Sequence, residues 1–249
     1  MYDDLGFLED SEQKAPEKMN IFARVGNLFF SPKKLFLFIR EKPTLLFPLI
    51  IMSIGAVAYQ LLIWEQSRKL QMDITYNTYQ NMGMSITPDQ LEAMVDAGMI
   101  TSVITAPLGV IASWAIITLI FYAVFRFAEC EKGMKKYFSM MAYISIISVV
   151  GMVLNGLYVY FMGGSITTYV TSVSSLFDQG TTGAFLNGIL LNIEVFNIWA
   201  YVLYGMGFIY VGGVEKRRSA IVTSVIFILF TLAAAGLTSL SSSLLGGLM

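Results

Sequence analysis

Residues 44–64 read TLLFPLIIMSIGAVAYQLLIW, an apolar run with no charge in it. A helix rises about 1.5 Å per residue and a bilayer core is about 30 Å thick, so this run is long enough to cross a membrane. Four more runs of the same kind follow, at about 101–125, 137–162, 192–214 and 219–240. Backbone groups in lipid have no water to bind and must be paired locally, which makes such runs helices. They are unbroken rather than alternating, which argues against a transmembrane barrel. Composition agrees: 56% of the 249 residues are hydrophobic and 13% charged, about half the charge of a soluble domain. Mean hydropathy is +0.67. The expected fold class is all-α, a polytopic membrane helix bundle with five transmembrane helices and an N-terminal amphipathic segment.

Fourteen of the sixteen basic residues fall on one side of this arrangement. They are Lys14, Lys18, Arg24, Lys33, Lys34, Arg40 and Lys42 before the first span, Arg126, Lys132, Lys135 and Lys136 between the second and third, and Lys216, Arg217 and Arg218 between the fourth and fifth. Only Arg68 and Lys69 lie opposite. Basic residues stay on the cytoplasmic side. The expected placement is a multi-pass protein of the cell membrane, with a cytoplasmic N-terminus and an extracytoplasmic C-terminus.

Three domains are expected: an acidic flexible cytoplasmic tail at 1–18, an amphipathic membrane-surface segment at 19–42, and a five-span membrane domain at 43–249. Asp3, Asp4, Glu9 and Asp10 stand where a secretory signal would be positive. In the second domain Ile21, Phe22, Val25, Leu28 and Phe29 recur at helical spacing, with Asn20, Arg24 and Asn27 opposite. Ser31-Pro32 then restarts a helix as cap and first residue. Lys33, Lys34, Arg40 and Lys42 suit a headgroup layer. The other reading is a helix packed on the inner ends of the spans, and the two are compatible. Outside, Thr87-Pro88-Asp89-Gln90 reads as a helix start with a capping box, opening a short acidic helix that ends near Gly98. The loop 163–191 has Tyr169, Val170, Val173, Leu176 and Phe177 at spacing that suggests a surface helix.

Little in the chain supports catalysis. Without histidine, and with Cys130 as the single cysteine, Cys/His zinc sites and Ser-His or Cys-His pairs are excluded. Phosphate-cradling and dinucleotide glycine motifs are absent, and no paired aspartates lie in the spans. A net charge of −1 gives no footprint for nucleic acid. No enzymatic activity, no cofactor and no metal are expected. The polar residues within spans are Gln60, Asn155, Glu194 and Asn197, a candidate intramembrane site because ionisable groups at that depth are costly. Small residues line up at helix-packing spacing: Thr105, Gly109 and Ser113; Gly205 and Gly212; Ala235 and Ser239. Such lines let helices approach closely, within one bundle or between copies.

The run IFARVGNLFFSPKKLFLFIREKPTLLFPLII, from Ile21, resembles the start of bacterial members of the Yip (Ypt-interacting protein) family. So does IEVFNIWAYVLYGMGFIYVGG followed by a basic turn: Glu194, Phe196, Trp199, Gly205, Gly207 and Lys216 to Arg218 stand where that family has an acidic residue, Phe-x-x-Trp, glycines and a basic turn. The resemblance covers about 21–240 and implies five helices. A DLYGP-like signature of eukaryotic relatives is absent, so Rab-type GTPase binding is not implied. It implies a non-enzymatic protein, either a membrane adaptor or an accessory subunit that binds other membrane proteins, with an ABC-type exporter as one partner; the small-residue lines separately allow a homo-oligomer, with packing inside one bundle the favoured reading. The competing function is a small secondary transporter or channel, which requires Gln60, Asn155, Glu194 and Asn197 to face one internal cavity.

Overall fold

The computed structural model describes residues 18–127, 130–177 and 181–246, and its regular elements are helical. In chain order they are α1 (Ile21–Phe30), α2 (Pro32–Glu41), α3 (Leu46–Leu62), α4 (Trp64–Asn81), α5 (Pro88–Phe127) and α6 (Met134–Met162). A single 3-10 turn at Val173–Leu176 follows, then α7 (Ala184–Asn192), α8 (Val195–Tyr210) and α9 (Lys216–Gly246). The acidic tail lies outside the described residues as far as residue 17.

Among the described residues, three helices are long and apolar enough to cross a membrane: α5, α6 and α9. A fourth crossing is available if α3 and α4, bent by 65° at Ile63, count as one span. The five crossings expected from sequence are therefore not reached by length and composition alone. The run at 192–214 explains the difference. Glu194 is spent on starting the helix and Gly213, at φ +70°, on ending it. What remains is α8, sixteen residues or roughly 24 Å.

Other boundaries also moved. The reciprocal capping box is present, with Gln90 N donating to Thr87 Oγ1 at 3.3 Å and Thr87 N to Gln90 Oε1 at 3.2 Å. The helix it opens does not stop near Gly98, however. It continues through Pro107 to Phe127 as one 40-residue helix, because a glycine without a left-handed turn after it does not end a helix. In the loop 163–191 the expected surface helix is reduced to the 3-10 turn, and α7 forms where none was expected.

The chain divides into two compact units. One comprises residues up to 51, 111–147 and 199–227. Its core holds α2, where Leu35, Phe36, Leu37, Phe38 and Ile39 are all buried. Five successive helical positions sample the whole circumference, so this part of α2 has no outward face. Met140, Met141, Tyr143, Leu203 and Phe208 are buried in the same unit. Gly207 lets α8 approach α6, since a Cβ there would meet Met140 Sδ at 2.3 Å.

The other unit comprises 52–110, 148–198 and 228 onward. Two glycines on facing helices set its packing: a Cβ on Gly55 would meet Val149 Cγ1 at 2.1 Å, and one on Gly151 would meet the Phe196 ring at 2.7 Å. Beyond the bend, α4 and the start of α5 form a hairpin around Leu91, Val95 and Met99, with Trp64, Met72 and Ile86 packed on them. Arg68 closes it, donating to Asp96 Oδ1 at 2.5 Å and to Glu92 Oε1 at 2.6 Å.

Candidate functional site

Three of the four polar span residues meet at one place, where the loop 163–177 is fastened. Asn155, on α6, accepts from Val170 N at 3.0 Å. Glu194, immediately before α8, accepts from Thr171 Oγ1 with one oxygen and from Asn197 N at 2.7 Å with the other. The second of these bonds is a helix N-cap, satisfying one of the N–H groups that the first turn leaves unpaired. A carboxylate is favoured there by the positive end of the helix dipole. Asn197 Nδ2 donates to Asn192 O at 2.7 Å, which joins α8 to the end of α7. Val173 N donates to Ile193 O at 2.9 Å, and Ser172 forms an isolated antiparallel bridge with Glu194.

Beside this clamp lies a cavity of about 200 Å³, lined by Ser148, Gly151, Tyr169, Asn192, Glu194 and Asn197 among others. Tyr169 lies in the loop, and burial, helped by the Glu194 charge, holds its phenol above the ordinary value. Gln60 is elsewhere. It lines a larger groove of about 490 Å³ with Ser67, Gln71 and Thr75 on one side and Met94 and Met99 on the other.

The small residues separate into two groups. Gly205 lies where α8 meets α9: Ser219 Oγ donates to Gly205 O at 2.7 Å, and a Cβ would sit 3.4 Å from Thr223 Oγ1. Gly212 O accepts from Glu131 N at 3.0 Å. Ala235 is fully buried against Gly188 of α7, and Ser239 is half-buried. By contrast Thr105, Gly109 and Ser113 are exposed, and a Cβ on Gly109 would meet nothing within 4 Å.

The basic residues of the N-terminal segment also divide. Arg40 pairs with Glu131 at 2.5 Å, and Lys136 joins the same carboxylate at 2.9 Å. The Lys33 ammonium stands 5.5 Å from the centre of the Tyr210 ring. Lys34 and Lys42 are exposed. Thr171, Asn192 and Glu131 were not singled out from sequence, since nothing in the spacing of a Ser/Thr-rich loop or a basic turn marks one residue as the fastening point.

These features define a polytopic helical membrane protein whose residues Asn155 and Glu194 hold its own loop in place. The chain belongs to the Yip1 domain family, whose model matches residues 26–237. It is 26% identical to "Membrane protein YknW" of Bacillus subtilis (strain 168) over 243 residues, covering 95% of this chain and 98% of that one. No solved structure matches it.

Proposed function

We propose that the protein is a non-enzymatic membrane adaptor or accessory subunit that binds partner membrane proteins, with an ABC-type exporter as the first partner to test. The observation that carries this reading is the use to which the span polar groups are put. A transport path needs them to face one cavity. Glu194 and Asn197 do line one small cavity, but with Asn155 they are engaged by backbone or loop groups of the chain, and Gln60 lines a different groove.

A second observation supports the partner. Only 11% of the most apolar stretch of α5 is buried, against 61% for α6, and its small residues face outward. In lipid, a helix with such a line is suited to close packing against another helix. Five crossings, with the N-terminus cytoplasmic and the C-terminus outside, complete the proposal.

Purification in mild detergent followed by mass spectrometry tests it. A stoichiometric membrane partner that is lost in Gly109→Leu is the expected result. Purified protein that alone moves an ion or solute across liposomes, and stops doing so in Glu194→Gln, overturns it.

A further inference from the structure

Helix α1 is amphipathic in the opposite sense from a helix on a soluble protein. Its polar residues turn inward. The Arg24 guanidinium donates to Met19 O at 3.0 Å, to Thr44 Oγ1 at 3.1 Å and to Tyr143 OH at 3.3 Å, and it lies 4.8 Å from the centre of the Phe38 ring. Asn27 Nδ2 points back to Met19 Sδ. Leu28 is fully buried beside them, whereas Phe22 is 88% and Phe30 89% exposed, with Ile21 at 46%. Phe22, Gly26 and Phe30 are four residues apart and share one face. No side chain approaches Gly26, and the face carries no charge.

The same hydrogen bonds tie α1 to two apolar segments. Thr44 opens the uncharged run that leads into α3, and both its backbone N and O are held by Ser139 Oγ of α6. Tyr143 is seven residues past Lys136 along α6, roughly 10 Å deeper. Arg24 is thus tied to the start of the apolar run that leads into α3 and to an apolar stretch of α6, and the exposed Phe22 and Phe30 are carried on the same short helix.

We propose that α1 is an in-plane lipid anchor whose Phe22–Phe30 face inserts into the acyl region of the leaflet on the basic side. The lysines flank the contact and the aromatic face makes it. In water two nearly bare phenylalanines are unfavourable; at the boundary between headgroups and chains they are in their preferred solvent. This goes beyond the adaptor reading and does not depend on it.

Nitroxide labels at Phe22→Cys, Phe30→Cys and Lys34→Cys, each in a Cys130→Ala background of the full chain, test the anchor in vesicles. At positions 22 and 30, collisions with oxygen should exceed those with a water-soluble nickel chelate several-fold, and position 34 should show the reverse order. Zwitterionic and anionic vesicles should give the same depth. Chelate access at 22 and 30 would overturn the proposal by placing the face in water. Exclusion of both relaxants would overturn it by placing a protein there, and a depth that requires anionic lipid would transfer the contact to the lysines.

Discussion

Gly188 and Ala235 bring α7 and α9 so close that a Cβ on the glycine would lie 2.6 Å from the Ala235 Cα. The obstacle is backbone, which cannot rotate aside. Gly188→Val should therefore lower stability by about 1–3 kcal/mol through overpacking. Gly236→Leu, one residue along α9 from Ala235, adds bulk into open space and should change stability by less than about 0.5 kcal/mol. Thermal unfolding in detergent compares the two.

Glu194 is expected to matter as an acceptor more than as a charge. Glu194→Gln keeps one acceptor for Asn197 N, and its amide can donate to the Thr171 hydroxyl. Glu194→Ala loses both bonds and should cost about 1–2 kcal/mol. Amide exchange at Thr171 and Val173 should rise in the alanine variant and stay close to the parent in the glutamine variant.

The placement of the small residues makes a contrast between Gly205 and Gly109. Gly205→Leu should destabilise the isolated chain, because Ser219 and Thr223 occupy the approach. Gly109→Leu should leave the isolated chain as stable as the parent and lose only its complexes. Unfolding temperature, read beside co-purification, separates the two effects.

Cys130 is buried, and that burial raises its thiol to about 11. At neutral pH it should be unreactive to maleimide in the folded protein and react promptly in dodecyl sulfate. The sign for stability follows. An unfolded thiol ionises near pH 8.5, so the contribution of the neutral buried form is complete below that pH. It falls as pH rises from there towards 11. Cys130→Ser should flatten that part of the stability profile.

Crossing number is decided at the C-terminus. Single cysteines at Ser11, Met84, Ser165 and Ser242 in the Cys130-free protein should react from outside at all but Ser11. Met84 is preferable to Gly83, whose φ of +68° disfavours a side chain. Protection of Ser242 until permeabilisation would show that α8 does not cross.

Much of the fold was legible because lipid and helix geometry leave a strong mark on sequence. Long apolar runs form helices and the Thr87 capping box is made; a helix does restart at Pro32, although Ser31 makes no side-chain cap bond. Glu194 and Asn197 were visible as rare polar residues in an apolar run. The capping role was hidden, because a carboxylate in an apolar run reads the same whether it faces a pathway or its own helix terminus. The orientation of α1 was hidden for a related reason. Periodicity tells which residues share a face, but the environment of each face is set by Arg24 finding Thr44 and Tyr143, contacts made 20 and 119 residues away. The burial of Leu35 to Ile39 on all sides leaves no periodic trace at all.

That burial has a consequence for synthesis. Helix α2 leaves the ribosome early, yet the groups that hold its two ends, Tyr210 beside Lys33 and Glu131 beside Arg40, are translated long afterwards. Its five apolar residues have no finished niche until nearly the whole chain has been inserted. Docking of α2 thus cannot be complete before residue 210 has been made, and a nascent chain interrupted earlier lacks one of the contacts that hold this apolar helix, the kind of incomplete packing that exposes hydrophobic surface.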